Sequence, residues 1–198
     1  MAASGKAVIL AALRTELLFV RGPKGAVGMG AAARVGLRRL LARRPIPAAA
    51  LVGFCGGLAE DLPPGAVLLA QRIEGPDGTV PVGGEALAKA RELLPQARVG
   101  SLFTHPELLS KKAIRKRLKE EGVAPAPLGV DMESSVVAAE LLRRKIPFLV
   151  ARIVLDAWAE EVSLGPERFL WAPRALRCAW KLGRVAEALR QALEEEDG

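Results

Sequence analysis

The chain has 198 residues, a formal net charge of +7 and an apolar fraction of 51%. That length suits a single domain, 1–198, with a sizeable core, and the apolar fraction excludes a disordered chain. No apolar run reaches the roughly 18 to 20 residues that cross a bilayer, so no membrane partner is expected.

The two cysteines, Cys55 and Cys178, stand far apart without a CxxC pair. That argues against a disulfide framework and a zinc knuckle, and for a reduced, cytoplasmic protein. Basic clusters occur at Arg38, Arg39, Arg43 and Arg44, at Lys111 to Lys119, and at Arg143 to Lys145. A nucleic-acid binder uses such clusters to displace counterions from phosphates. Here aromatic residues are few and tyrosine is absent. Each cluster also falls on the polar face or at the C-terminal end of a predicted helix, where the dipole favours cations. The clusters read as solvated faces, and no nucleic-acid partner is expected.

The N-terminal run "AVILAAL" (7–13) reads as a buried strand. One lysine precedes it and Arg14 and Glu16 follow at once, which is a poor signal peptide. "TELLFV" (15–20) begins a short helix or turn. A short strand up to about Val27 leads into a glycine turn and a helix over 31–44, stopped by Pro45 and Pro47. "AALVGF" (49–54) is a strand ending in a "CGGL" turn, and "GAVLLAQRI" (65–73) is another strand. The segment 75–84 is expected to be loop, "EALAKARELL" helix and "ARVGSLFT" strand. An amphipathic helix is expected from His105 to Gly122. "APLGVDM" enters a helix over 133–145, "PFLVARIVLD" is a strand ending on Asp156, and 166–195 is helical. Near-continuous apolar strands alternating with helices predict a sheet covered on both faces. Ligands of such sheets bind beyond the strand C-termini, so functional groups should follow strands. Glu16, the Gly53–Gly57 turn, Asp131 with Glu133, and Asp156 all do.

Three local motifs compete for attention. "GMGAAA" (28–33) has dinucleotide-like glycine spacing, but its strand is poor and no acid stands about 20 residues on, so a tight turn explains it as well. "GFCGG" (53–57) spells a nucleophile elbow with Cys55, His105 and Asp61 or Asp77. Two prolines follow where the elbow needs a helix, and a small buried cysteine is the simpler reading. Asp131 and Glu133 suit the positive end of the next helix as caps. Yet Glu16, Glu133 and Asp156, each at its own strand end, form a constellation.

The block "VDMESSVVAAELLRRKIPFLVARIVLD" resembles the signature of the nucleoside phosphorylase and nucleosidase superfamily. "VGFCGGLAEDLPPGAVLLA" is similar to that family's glycine block, "AVILAALRTEL" to its first strand with its glutamate, and "GMGAAAR" to its next glycine turn. The resemblance covers most of the chain in order and leans towards the hydrolytic branch: methylthioadenosine/S-adenosylhomocysteine nucleosidases, futalosine hydrolases and hopanoid-associated relatives. It implies an α/β fold of three layers, α/β/α, around a central mixed, mostly parallel sheet. It also implies a homo-oligomer (dimer or higher), no metal or redox cofactor, and a purine nucleoside, 5′-modified, as the small-molecule partner.

Residue roles follow from the same resemblance. Asp156 matches the acid that protonates the purine, and Glu16 the glutamate that positions the attacking water. Glu133 matches the glutamate that grips ribose hydroxyls, and Met132 the methionine that packs against the nucleoside. Phe54 and Gly56 in the glycine block, Gly30 in the next turn, and Phe103 near Pro106 are the further substrate-binding positions. Phe54 stands where the family usually carries a small hydroxyl residue that phosphorylases use on phosphate, which favours water as nucleophile. Leu155 replaces the usual serine before the aspartate, and 73–97 is compressed. A phosphorylase and a non-catalytic nucleoside-binding protein are the alternatives.

Overall fold

The computed structural model describes residues 5–76, 78–107, 109–123, 126–160 and 168–194. Its strands are β1 (Val8–Ala11), β2 (Lys24–Ala26), β3 (Ala49–Gly57), β4 (Val67–Gly75), β5 (Gly78–Pro81), β6 (Arg98–Thr104), β7 (Gly129–Asp131) and β8 (Phe148–Asp156). The longest apolar runs become the central strands: β8 pairs in parallel with β3 over its whole length and antiparallel with β4. β1 extends the sheet beyond β3 in parallel, and β2 lies outside β1. On the other side β4 pairs with β6 in parallel and with β5 antiparallel.

The sheet is mixed and mostly parallel, as expected, but it also closes on itself. β7 runs parallel to β6 and meets the end of β3 antiparallel, through Gly56 with Val130 and Gly57 with Gly129. A bulge between Cys55 and Gly56 brings Gly56 beside Asp156 in the register. Bulges bend a strand and re-aim its side chains. The C-terminal ends of β3, β6, β7 and β8 are thereby gathered at one end of the molecule.

Two groups of helices cover the sheet, giving three layers. α5 (Arg168–Glu194) lies along β1, β3 and β8 with α2 (Glu85–Leu93) beside it. Leu182, Val185, Ala186 and Leu189 of α5 are buried in the main core. α1 (Ala32–Arg43) packs on α4 (Ser134–Arg143), and α4 reaches β4, β5, β6 and β8. α3 (Lys111–Glu120) is separate: its Ile114 and Leu118 bury with Leu58 and Phe103 in a small second cluster. No helix among the described residues is long and apolar enough to cross a membrane.

Three boundaries differ from expectation. The segment 75–84 is not all loop, because Gly78–Pro81 returns along β4 with Val80 buried. Thr79, Val80, Pro81 and Val82 alternate out and in, and Pro81 is tolerated because β5 is an edge strand. β3 does not stop at residue 54; the glycines through Gly57 continue it, because β8 and β7 supply partners on both sides. The helix expected from His105 begins at Lys111, with Ser110 as its N-cap accepting from the Ala113 N–H at 3.2 Å.

Candidate active site

The gathered strand ends hold two linked clusters. The first surrounds Arg152, which is fully buried in the middle of β8. Its Nε donates to Asp131 Oδ2 at 2.7 Å, and its Nη2 pairs with Glu133 Oε1 at 2.8 Å and donates to Ser134 Oγ at 2.7 Å. Asp131 also accepts from Thr104 Oγ1 at 2.8 Å, from the Ser134 N–H at 3.1 Å and from the Ser134 hydroxyl. The bond to the Ser134 N–H caps α4, so the capping role foreseen for this segment falls to Asp131.

Glu16 joins this cluster from the 3₁₀ turn Arg14–Leu17 that follows β1. Its two oxygens accept from the Leu13 N–H at 2.8 Å and the Phe54 N–H at 2.9 Å. Gly53 lets this approach happen: a Cβ there would lie 2.2 Å from Arg152 Nη1 and 2.8 Å from Glu16 Oε1. Burial pushes the Glu16 carboxyl above its ordinary value, against the pull of Arg152 and of the two N–H donors. Burial likewise pushes Glu133 up to about 8, against Arg152 and helped by repulsion from Asp131 and Glu16. The cause is simple: three carboxylates face one guanidinium, and removing such groups from water disfavours their charged forms. The carboxylates keep the guanidinium charged, its pKa raised further despite the burial.

The second cluster lies at the ends of β3 and β8. A cavity of about 310 Å³ is lined by Gly56, Lys111, Ile114, Asp131, Met132 and Asp156, together with Glu107 and Ser110. Asp156 is buried and forms an ion pair with the ammonium of Lys111, itself only 3% exposed. Lys111 Nζ also donates to the carbonyls of Asp156 at 3.1 Å, Ala157 at 2.5 Å and Glu160 at 2.5 Å. Arg115, one turn along α3, stacks over Trp158 at 3.1 Å from the ring centroid. These polar contacts tie α3 to the loop after β8.

Of the residues singled out in the sequence, Asp156, Met132 and Gly56 line this cavity. Glu16, Glu133 and the Phe54 N–H belong to the adjoining Arg152 cluster. Gly30 sits in a turn with φ of 54°, and the carbonyl of Pro106 lies 3.3 Å from where its Cβ would be. Phe103 is buried in the small apolar cluster beneath α3. The nucleophile-elbow alternative fails on geometry, since Cys55 is inside a strand and not on a turn. Burial raises its thiol pKa. His105 engages Glu107 and Arg117, Asp61 pairs with Arg98, and Asp77 lies outside the described residues.

Two residues escaped the sequence reading. Arg152 belongs to the signature block as the arginine near the middle of its strand, without a role assigned to it; an arginine inside an apolar strand requires buried carboxylates. Lys111 was read with its neighbours as part of a solvated face, and that is wrong for this one residue. A lysine in the first turn of a helix stands against the dipole, but a helix expected from His105 puts Lys111 in the second turn and hides that signal. Among the described residues no three His, Cys, Asp or Glu side chains are grouped so as to hold a metal ion.

No family model and no curated protein sequence matches the chain. Its fold is that of solved nucleosidases and futalosine hydrolases, in agreement with the fold expected from the resemblance carried by residues 129–156. A 5′-methylthioadenosine/S-adenosylhomocysteine nucleosidase from S. pneumoniae, solved with a transition-state inhibitor, superposes with a TM-score of 0.79 at 17% identity, covering 96% of this chain and 100% of that one. A mutant nucleosidase of Helicobacter pylori with 5′-methylthioadenosine in its active site gives 0.76 at 15% identity, covering 96% and 99%. The native futalosine hydrolase of Helicobacter pylori gives 0.77 at 15% identity, covering 93% and 96%. At such identities the likeness establishes the fold.

Proposed function

We propose that the protein is a nucleosidase that hydrolyses the N-glycosidic bond of a 5′-modified purine nucleoside. The observation that carries this reading is the juxtaposition at one end of the sheet: a buried aspartate in a cavity, and beside it two buried glutamates around Arg152. The solved proteins of the same fold include nucleosidases for methylthioadenosine and S-adenosylhomocysteine, and a futalosine hydrolase.

In this reading the purine occupies the cavity against Met132; Asp156 takes up a proton from solvent as the base displaces its ion pair with Lys111, and donates that proton to N7 as the bond from C1′ to N9 breaks. The bonding electron pair leaves with the base. A positioned acid of this kind contributes about 10² to 10⁴ in rate. The sugar acquires oxocarbenium character, which the carboxylates stabilise electrostatically. Glu16 holds the water that attacks C1′ and accepts its proton, a role that suits a carboxyl whose pKa burial has moved towards neutrality. Glu133 accepts from the ribose hydroxyls, and Arg152 fixes its position. Water is the nucleophile because Phe54 offers no side-chain hydroxyl to a phosphate.

The same reading takes the protein to act in the cytoplasm as a single domain that assembles into a homodimer or larger oligomer. Val35 on α1 and Leu142 on α4 are 51% and 48% exposed, two apolar side chains on helices that pack together, and they support contact with a second copy. The test is a panel of methylthioadenosine, S-adenosylhomocysteine, futalosine, adenosine and inosine, with and without phosphate, read by chromatography. Free base should appear from at least one 5′-modified member at a rate indifferent to phosphate. No base from any member contradicts the proposal.

A further inference from the structure

Lys111 poses a physical problem that the reaction just described does not use. A cation at the first position of a helix opposes the dipole, and burying it costs solvation. The ammonium is nevertheless 3% exposed, lines the cavity, and is ion-paired to the same aspartate that would protonate the base. Gly56 makes room for its stem: a Cβ there would lie 3.0 Å from Lys111 Cε. The three carbonyls after β8 hold the head of the side chain beside Asp156.

An ammonium only donates hydrogen bonds. The purine edge that carries N7 also carries the substituent at C6, which is an acceptor oxygen in a 6-oxopurine and a donor amine in a 6-aminopurine. A base placed with N7 on Asp156 therefore presents its C6 group to the neighbouring ammonium. We propose that Lys111 selects 6-oxopurine nucleosides by donating to O6, and that it opposes 6-amino bases by setting donor against donor. The hydrogen shared in the free protein between the Asp156 carboxylate and the Asp156 carbonyl, the longest of the three carbonyl contacts at 3.1 Å, turns to O6 when Asp156 engages N7. While bond cleavage runs ahead of the proton transfer to N7, electron density shifted onto O6 meets the ammonium, so the contact strengthens in the transition state.

This inference rests on the nucleosidase reading for the placement of the base, and its test separates the two. Matched pairs that differ only at C6 are compared: 5′-methylthioinosine with 5′-methylthioadenosine, futalosine with its 6-amino counterpart, and inosine with adenosine. The 6-oxo member of any pair that is cleaved should have the higher kcat/KM by at least about tenfold, the usual consequence of an unmatched buried donor. Lys111→Gln can present either a carbonyl or an amide, so it should reduce the preference to within about threefold whatever it does to absolute rates. A purely structural lysine would lower both members equally and leave their ratio unchanged. Lys111→Met serves the same comparison if Lys111→Gln does not fold, and the wild-type ratio tests the preference by itself.

If no nucleoside is cleaved, the nucleosidase reading fails. Calorimetry with hypoxanthine and adenine then decides the selection, with hypoxanthine expected to bind more tightly to wild type alone. Indifference or a 6-amino preference in the wild type, a preference that survives in the variants, or binding of neither base overturns the proposal.

Discussion

Arg152 is the residue on which the others depend. Its guanidinium meets Asp131, Glu133 and Ser134 directly, and Gly53 is bare so that Glu16 can approach it. The excess of carboxylates leaves a signature in stability. Glu133 titrates near 8 in the folded chain and Glu16 above its ordinary value, so between about pH 4.5 and 8 the folded state binds more protons than the unfolded one. Their contribution is complete below the unfolded carboxyl value and is lost as pH rises through the folded one. The melting temperature should therefore fall from pH 5 to pH 8, and Glu133→Gln should flatten that fall. An equally steep fall in the variant would contradict the assignment. The acids were readable from sequence because each ends a strand or follows one. Arg152 and Lys111 were harder, because charge in a sequence gives no burial. What buries them is a set of partners 18 to 49 positions away, at Asp131, Ser134, Asp156 and Glu160.

Among the elements, α3 has the weakest claim on the main core. Only Ile114 and Leu118 anchor its apolar side, in a cluster of four buried residues, while Lys111 and Arg115 secure it through polar contacts. Ser110 caps its N-terminus and lines the cavity. Ser110→Ala should cost about 1 kcal/mol in helix stability. Because α3 opens more easily than the sheet, the effect should appear as faster amide exchange confined to 111–120, together with a raised KM. An unchanged exchange pattern would show that α3 is held by more than its cap. The sequence placed this helix but started it too early, since His105 to Leu109 is amphipathic enough to mimic a first turn. The buried strands were read well, because an apolar run covered on both faces has few alternatives. β5 was missed because a four-residue edge strand beside glycines reads like a turn.

For the molecule as a whole, alternation of strand and helix announced a covered, mostly parallel sheet. It did not announce the closure of β7 onto β3, which depends on two residue pairs 72 and 74 positions apart, Gly57 with Gly129 and Gly56 with Val130. That closure creates the site by bringing Asp156 and Met132 to one cavity. The paired helices α1 and α4 present Val35 and Leu142 outward. Sedimentation should find an oligomer, and replacing both residues with glutamate should shift it towards monomer; a wild-type monomer would contradict the assembly.

In the reaction proposed, water attacks C1′ of a purine nucleoside. That step is tested most directly by running the reaction in ¹⁸O-water with phosphate present and weighing the sugar product. Attack by water yields a free sugar carrying one ¹⁸O at C1′ and an equivalent of free base. A sugar 1-phosphate without the label, or nucleoside recovered intact across the panel, would contradict it.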